Sequence, residues 1–309
     1  MKLQASAALV VLAALSAASQ AAPVRIEYKF EKVDGHRVFY REAGPKTAKT
    51  IVLLHGFPSS SHMFRDLIPK LATKFHVVAP DYIGFGYSDA PARATFAYTF
   101  DNLAAVTDKF LVQTGNTRYT LYLQDYGGPV GFRIATAHPE RVEGLIIQNS
   151  NAYVEGISKL AFGVLAEFGK NRNAETEKPV RGLLGYDGIK FGYTEGSPNP
   201  AAINPDSYTF DNALFQAKPE NVEVQLDLFA DYQNNVSLYP AWQAYFRKYQ
   251  PRTLIVWGKG DPFFTVEGSK AYSRDLKNVD YNLYDAGHFA LEEKLDAIST
   301  KILGFVGGK

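Results

Sequence analysis

One segment indicates the fold most clearly: Tyr119-Thr-Leu-Tyr-Leu-Gln-Asp125-Tyr-Gly-Gly-Pro-Val-Gly-Phe-Arg133. Its first six residues are mostly apolar, as in a buried strand, and the part after the two glycines has the pattern of a helix. Asp125 stands at the junction, where Gly127 and Gly128 leave the steric room that a tight turn needs. Such a turn raises the Asp125 side chain above the carboxyl end of the strand, where it either caps the helix or carries out chemistry.

Further short apolar runs lie on both sides of this segment, and several are separated by stretches of helical pattern. Near-continuous apolar strands that alternate with helices pack best as a parallel sheet covered on both faces. The sequence therefore predicts an α/β fold with a mostly parallel, eight-stranded sheet and helices on both faces. The predicted strands are 25–33 and 36–42, which form a hairpin, and then 50–54, 75–79, 119–124, 142–148, 253–257 and 280–284.

The alternation of predicted strands and helices stops after the sixth strand. Apolar residues recur at helical spacing over 157–168, and a second helical pattern covers 222–232. The sequence therefore predicts a helical cap, or lid, formed by residues 151–245. The segments 23–150 and 246–309 are expected to form the core beneath it.

The amino terminus has the features of an export signal. Lys2 gives a positive start, an apolar run covers residues 8–15, and Ser19-Gln-Ala21 is a small-x-small cleavage site. We therefore expect residues 1–22 to be a cleaved signal peptide and the mature protein to be periplasmic or secreted.

Composition excludes several kinds of site. Once Lys2 is removed with the signal, the charges balance, so no field attracts nucleic acid or an anionic membrane. The chain has no cysteine, which excludes thiol nucleophiles and thiolate metal sites. Its six histidines have no ligand-like spacing, and no glycine-rich phosphate loop occurs. The sequence predicts no cofactor and no metal, and it leaves the oligomeric state open.

Three more segments place polar residues at the ends of predicted strands. His55-Gly-Phe-Pro58 follows the third strand, Gly258-Lys-Gly-Asp261-Pro the seventh, and Asp285-Ala-Gly-His288-Phe the eighth. An isolated histidine is more often structural, and Asp-Pro after a strand is often only a turn. Because parallel strands end at one edge of a sheet, we expect these groups to meet beside the carboxylate of Asp125.

This order of side chains resembles the α/β-hydrolase superfamily, and within it the aspartate-nucleophile branch of epoxide hydrolases and haloalkane dehalogenases. The resemblance implies Asp125 as nucleophile, Asp261 as acid and His288 as base. Some dehalogenases carry the acid after the sixth strand instead. That position reads Gln148-Asn-Ser-Asn151 and holds no carboxylate, which selects Asp261.

The same resemblance assigns an oxyanion hole. The backbone N–H groups of Phe57 and Tyr126 are expected to form it. The turn residues His55, Gly56 and Pro58 are expected to shape it.

The resemblance supports two different leaving groups, a halide ion and the oxygen of an epoxide. The Leu-Gln-Asp-x-Gly-Gly pattern is typical of haloalkane dehalogenases, but their halide-binding tryptophan beside the nucleophile is Tyr126 here. Neither Trp242 nor Trp257 has the expected position. The His-Gly-Phe-Pro turn also occurs in fluoroacetate-type dehalogenases, but the arginine of those enzymes is again replaced by Tyr126.

Epoxide hydrolases protonate the opening ring with cap tyrosines, and a phenol suits that task. Tyr232 best resembles such a residue, with Tyr193 or Tyr153 as its partner. The sequence favours an epoxide hydrolase for a small apolar organic substrate, with a haloalkane dehalogenase as the alternative. A third possibility, from another class, is a binding protein that keeps the fold without turnover.

Overall fold

Eight strands form one sheet in the order β1-β2-β4-β3-β5-β6-β7-β8 in a computed structural model that describes residues 24–218 and 220–308. The predicted signal peptide therefore lies outside the described residues. Each strand begins and ends within one residue of its predicted limits. The strands are β1 (Ile26–Val33), β2 (His36–Ala43), β3 (Thr50–Leu54), β4 (His76–Pro80), β5 (Tyr119–Gln124), β6 (Val142–Gln148), β7 (Thr253–Gly258) and β8 (Val279–Tyr284).

Strand direction places the candidate residues together. From β4 to β8 in the sheet order, neighbouring strands are parallel, while β2 pairs antiparallel with both β1 and β4. Strands β5 and β7 are buried along their whole length, as their apolar composition requires. The turns after β3, β5, β7 and β8 therefore open at one edge of the sheet.

Ten α-helices cover the described residues, and five of them, α4 to α8, lie between β6 and β7. The helices are α1 (Leu67–Leu71), α2 (Phe100–Gln113), α3 (Gly127–Ala137), α4 (Lys159–Lys170), α5 (Ala174–Gly182), α6 (Tyr186–Thr194), α7 (Pro205–Gln216), α8 (Glu220–Tyr249), α9 (Val266–Asp275) and α10 (Ala290–Gly307). Among all the residues that the structure describes, no helix is both long enough and apolar enough to cross a membrane.

Helix α8 connects the inserted helices to the core. Its first half carries Phe229 and Tyr232, which face the sheet edge, and its second half packs Trp242 against Phe132 of α3 at 5.3 Å between ring centroids. The helix continues to Tyr249, so the predicted cap boundary at 245 falls inside a continuous helix. The core and the inserted helices therefore share one structural element.

Candidate active site

The turn between β5 and α3 is strained in a way that exposes Asp125. This residue has a φ of +49°, a left-handed conformation that costs a non-glycine residue about 1–3 kcal/mol. The hydroxyl of Ser150 donates to the Asp125 carbonyl oxygen at 2.8 Å and supports the turn. A Cβ at Gly127 would lie 2.2 Å from the Leu54 carbonyl oxygen, and one at Gly128 would lie 1.9 Å from the Ser150 hydroxyl oxygen. The sequence therefore needs both glycines to form this turn.

The turn after β3 contacts the Asp125 carboxylate directly. The backbone N–H of Phe57 donates to Oδ1 at 2.8 Å, and the N–H of Tyr126 also interacts with this carboxylate. A Cβ at Gly56 would lie 2.2 Å from the Cβ of Asp125, so only glycine permits this approach. Pro58 follows through a cis peptide bond. The two predicted oxyanion-hole donors thus hold the carboxylate of the candidate nucleophile itself.

His55 supports this turn from below. Its Nδ1 lies 3.1 Å from the Gly56 carbonyl oxygen, and its Nε2 lies 3.3 Å from the backbone nitrogen of Tyr82, whose N–H donates to it. Burial lowers the pKa of His55 to about 3, so the ring is neutral. Both ring nitrogens are engaged with backbone, which makes this histidine a part of the turn.

The imidazole of His288 lies between two carboxylates. Its Nδ1 is 2.8 Å from Oδ2 of Asp261, and its Nε2 is 3.9 Å from Oδ2 of Asp125. Oδ1 of Asp261 accepts from the N–H groups of Phe263 at 2.7 Å and Phe264 at 3.1 Å. The structure therefore places the three predicted residues side by side at the sheet edge, with His288 between the two carboxylates.

Charge and burial oppose each other at these groups. Burial raises the pKa of Asp125 above its usual range, although His288 and the N–H groups of Phe57 and Tyr126 favour the carboxylate. Burial alone would lower the pKa of His288, but the carboxylate of Asp261, and then that of Asp125, more than offset it and raise this pKa. The buried imidazole is therefore a stronger base than a free histidine.

A cavity of about 690 Å³ opens above Asp125 and His288 between the sheet edge and the inserted helices. This size suits an organic ligand of moderate dimensions. Its wall is formed mainly by apolar side chains, among them Phe57, Val164, Ile189, Phe229, Phe263 and Phe289. The arrangement can hold an apolar molecule against a buried carboxylate and a base.

The fold and this geometry agree with a family model described as alpha/beta hydrolase fold, which matches residues 49–295. The chain belongs to the α/β-hydrolase family. An uncharacterized hydrolase of Saccharomyces cerevisiae is 41% identical to this α/β hydrolase over 280 residues, which are 89% of this chain and 95% of that protein.

Other similar proteins carry more specific names. A haloalkane dehalogenase of Bradyrhizobium diazoefficiens is 38% identical over 123 residues, which are 40% of this chain and 39% of that protein. The solved structure of the epoxide hydrolase CorEH without ligand has a TM-score of 0.76 at 21% identity, covering 92% of this chain and 99% of that one. At that identity the likeness shows the fold alone.

The three predicted cap tyrosines of this hydrolase lie in different surroundings. Tyr232 lines the cavity, and its hydroxyl shares a hydrogen bond with that of Tyr239. Tyr193 stacks on the cavity-lining Phe289 at 3.8 Å, but its own hydroxyl donates to Asp211. It is not among the described residues that line the cavity.

Tyr153 is also outside the cavity of the hydrolase. It is fully buried, and its hydroxyl donates to Asp275 at 2.8 Å. Its ring packs edge-on against Tyr272 of α9 at 5.0 Å. Predicted as a possible partner of Tyr232, this residue is instead directed towards α9, because the following turn, Val154–Gly156, packs against that helix.

Neither tryptophan of the hydrolase is among the described residues that line the cavity. Trp257 lies fully buried in β7, and Trp242 packs on α3. Tyr126, at the position of the expected tryptophan, is surrounded by aromatic rings, and its hydroxyl has no hydrogen-bond partner in the described residues. Within residues 24–218 and 220–308, no group of three or more acidic or histidine side chains could hold a metal ion.

Two amide residues at the site were not predicted. Asn149, with a φ of +43°, donates from Nδ2 to Oδ2 of Asp261 at 2.8 Å, and its Oδ1 accepts from the N–H of Gly258 at 2.9 Å. Gln124 brings its Nε2 to 3.0 Å from Nε2 of His288. The sequence signal for both is their place at a strand end, since Asn149 directly follows β6 and Gln124 is the last residue of β5.

Proposed function

We propose that this hydrolase opens epoxides to diols through a covalent ester on Asp125. One observation carries the proposal: the residue in the strained turn is a carboxylate whose two oxygens have different surroundings. Oδ1 accepts from the Phe57 N–H, and Oδ2 lies 3.9 Å from Nε2 of His288. A carboxylate in this position suits attack on a saturated carbon, whereas a serine esterase would need a hydroxyl there.

In the first step, Oδ2 of Asp125 attacks a ring carbon, the carbon–oxygen bond of the epoxide breaks, and an ester forms. The departing ring oxygen needs a proton, which the phenol of Tyr232 can give. Burial, with Tyr239 and Asp125 as further causes, raises the pKa of Tyr232 well above its ordinary range. The phenol is therefore protonated at neutral pH and can donate to an alkoxide, which is a much stronger base.

In the second step, water attacks the ester carbonyl carbon of Asp125 while Nε2 of His288 takes one of its protons. The oxyanion that forms is Oδ1, already held by the N–H groups of Phe57 and Tyr126. Collapse of this intermediate breaks the ester bond, and the imidazolium returns its proton to the alkoxide of the diol. The second proton of the attacking water, left on the Asp125 carboxyl group, goes back to the Tyr232 phenolate, so carboxylate, phenol and imidazole are all restored. Asp261 keeps the imidazole oriented through Nδ1.

The cavity wall supports an apolar substrate. Aromatic and aliphatic side chains dominate it, and a polar molecule would lose hydrogen bonds to water on entering. A haloalkane dehalogenase is the second candidate because a protein of that name is similar to part of this chain. The surroundings of Tyr126, Trp242 and Trp257 disfavour it, since neither indole is among the described residues that line the cavity.

Trapping the ester tests the proposal. The variant His288→Gln, incubated with epoxyoctane and separately with bromooctane, should gain the mass of the epoxide on Asp125 and gain nothing from the bromide. Peptide mapping locates the adduct, and Asp125→Asn in the same background is the control that cannot form it. An adduct from bromooctane alone would reverse the order of the two candidates, and no adduct from either would overturn the covalent mechanism for these substrates.

Export is a separate proposal that depends on residues 1–22. We propose that the chain is cleaved after Ala21 or Ala22 and acts in the periplasm or outside the cell. Mass determination of the protein recovered from cell fractions tests this, and an uncleaved protein confined to the cytoplasm would overturn it.

A further inference from the structure

The side-chain amide of Gln124 lies against the nitrogen that serves as the base in the proposed function. Its Nε2 is 3.0 Å from Nε2 of His288, nearer than the Asp125 carboxylate at 3.9 Å. The side chain is 0% exposed, so its amide does not exchange this contact for bulk water. Of these two side chains, Gln124 is therefore the nearer one to a proton gained or lost at Nε2 of His288.

The opposite end of this amide has no fixed partner. The oxygen Oε1 of Gln124 is buried and has no hydrogen-bond partner among the described residues. An amide carries a donor at one end and an acceptor at the other, separated by a half-turn of the last side-chain torsion. The described surroundings therefore do not fix which end of the amide faces the imidazole. The protonation state of the imidazole can determine this orientation.

The two protonation states of His288 need opposite ends of the amide. When the ring is neutral, Nδ1–H donates to Asp261 and the lone pair on Nε2 accepts from the amide N–H. When the ring is an imidazolium, Nε2 carries a proton and needs an acceptor. The ester form of Asp125 has lost its negative charge, so it is a weaker hydrogen-bond acceptor for this proton than the free carboxylate is.

We propose that Gln124 is a positioning residue for His288 whose amide carbonyl accepts the Nε2–H of the imidazolium formed during ester hydrolysis. This inference rests on the proposed function. In it, the water proton moves to Nε2, the amide presents Oε1 to that new N–H, and the proton then passes to the diol alkoxide. The amide stays neutral and gains or loses no atom, so it acts only on the stability of the charged intermediate.

The other groups described around the ring do not supply this acceptor. Asp261 is already engaged with Nδ1, and Phe263, Phe264 and Phe289 cover the remaining sides with ring centroids 5.1–5.7 Å from that of the imidazole. The charges that act on its titration are those of the Asp261 and Asp125 carboxylates. During ester hydrolysis, the amide is therefore the nearest neutral acceptor that the described residues offer to the imidazolium.

The chain provides a matched control on the next strand. Gln148 pairs in register with Gln124, is equally buried, and ends β6 as Gln124 ends β5. Its Nε2 donates to the backbone carbonyl of His288 at 3.4 Å, and its Oε1 accepts from the hydroxyl of Tyr122. A Gln→Met substitution at either position removes a buried amide beside His288, but only one removes a contact with the imidazole.

The experiment compares Gln124→Met and Gln148→Met in two measurements. Nuclear magnetic resonance titration of the His288 ring in the full-length mature protein, without substrate, should give a lower pKa in Gln124→Met and an unchanged pKa in Gln148→Met. Single-turnover hydrolysis of the epoxyoctane ester should slow about tenfold or more in Gln124→Met, because a hydrogen bond to a charged group is lost. Ester formation should stay the same, so the ester should accumulate.

Each contrary result has a distinct meaning. A raised pKa of His288 in Gln124→Met would mean that the amide stabilises the neutral ring more than the imidazolium. An unchanged pKa would mean that it stabilises the two states equally or stabilises neither, and both results overturn the inference. Equal slowing of ester hydrolysis in the two variants also overturns it. If the wild-type protein forms no ester, the proposed function fails, and a lowered pKa of His288 would then support only the hydrogen bond in the resting protein.

Discussion

The sheet edge and the inserted helices of this hydrolase are determined in different ways. At the edge, the side chains of Asp125, Asp261 and His288 follow strand ends and are held by hydrogen bonds to backbone N–H groups and to one another. Over the cavity, the wall is formed by apolar side chains of α4, α6 and α8 that are held mainly by packing. We therefore expect the reaction to depend on a few fixed groups and the choice of substrate on many replaceable ones.

Replacement of Asp125, the proposed nucleophile, should give the largest effect. Asp125→Asn keeps the shape of the turn but removes the charged oxygen, so epoxide turnover should fall about 10⁵-fold. Steady-state diol formation measures the loss, and the thermal unfolding midpoint checks that the fold is retained. If the variant keeps full turnover, the sheet edge does not hold the nucleophile and the contrast between the two regions disappears.

A slow return of activity would still support this assignment. The amide side chain introduced by Asp125→Asn can lose ammonia to give the carboxylate again, which intact-mass spectra would detect. Wild-type turnover in water enriched in the heavy oxygen isotope gives an independent measurement. The label should enter Asp125, because the oxygen that Asp125 gives to the diol is replaced from water.

The sheet edge could be predicted from the sequence because its signals are local. Apolar runs mark strands, and the polar or glycine residue that ends each run marks the edge, so β5 and Asp125 follow from a dozen adjacent residues. The amide of Asn149 could not be predicted in the same way. Its contact with Asp261 depends on the spacing of β6 and β7, which no local pattern reveals.

The surroundings of the cap tyrosines could not be derived from local sequence patterns for a related reason, although the family resemblance favours Tyr232. Tyr232, Tyr193 and Tyr153 are all large and amphipathic, and all are buried. Which of them faces the cavity depends on the rotation of each helix or loop against its neighbours, a property of the whole packed structure. The structure brings one of the three to the cavity and pairs the other two with Asp211 and Asp275.

Removal of Asp261, the proposed acid, should have the next largest effect and should change the pH dependence. Asp261→Asn removes the main charge that stabilises the imidazolium, and its amide cannot accept all the hydrogen bonds that the carboxylate accepts, so turnover should fall about 10³-fold. Ester hydrolysis needs neutral His288 and is lost as the pH falls through its pKa, which Asp261 raises. The acid limb should therefore move to lower pH in the variant, as single-turnover rates measured against pH would show. An acid limb that stays in place would separate Asp261 from the base.

Substitution of Tyr232 tests whether the cap contributes to the reaction as well as to binding. In the His288→Gln background, Tyr232→Phe should slow ester formation from epoxyoctane about 100-fold, because the opening ring loses its proton donor. Tyr193→Phe and Tyr153→Phe are the matched controls, since each loses a buried hydrogen bond without a hydroxyl that lines the cavity. Their rates of ester formation should stay within about twofold of the parent. Equal slowing by Tyr193→Phe would mean that Tyr232 is not the proton donor.

The smallest effect is expected where the inserted helices are tied to one another and to the core. Asp227 of α8 accepts from Arg93, in the loop after β4, and from Arg172, just after α4, with the shortest oxygen–nitrogen distances at 2.5–2.6 Å. These arginines are partly exposed, so Asp227→Asn should cost only about 1 kcal/mol of stability, and less in high salt. Burial raises the pKa of Asp227, but the two arginines lower it overall, so this stabilisation is lost as the pH falls through that lowered pKa.

Helix α4 carries Val164 and Leu165 in the cavity wall, so loosening its end should act on binding and not on chemistry. The Michaelis constant for epoxyoctane should rise about threefold or less in Asp227→Asn, while ester formation and hydrolysis at saturation keep their wild-type rates. Asp34→Asn, which removes an exposed ion pair with Lys109 far from these helices, is the control. A fall in the saturated rate would mean that the packing of the inserted helices also positions Tyr232, and the two regions would then share the reaction.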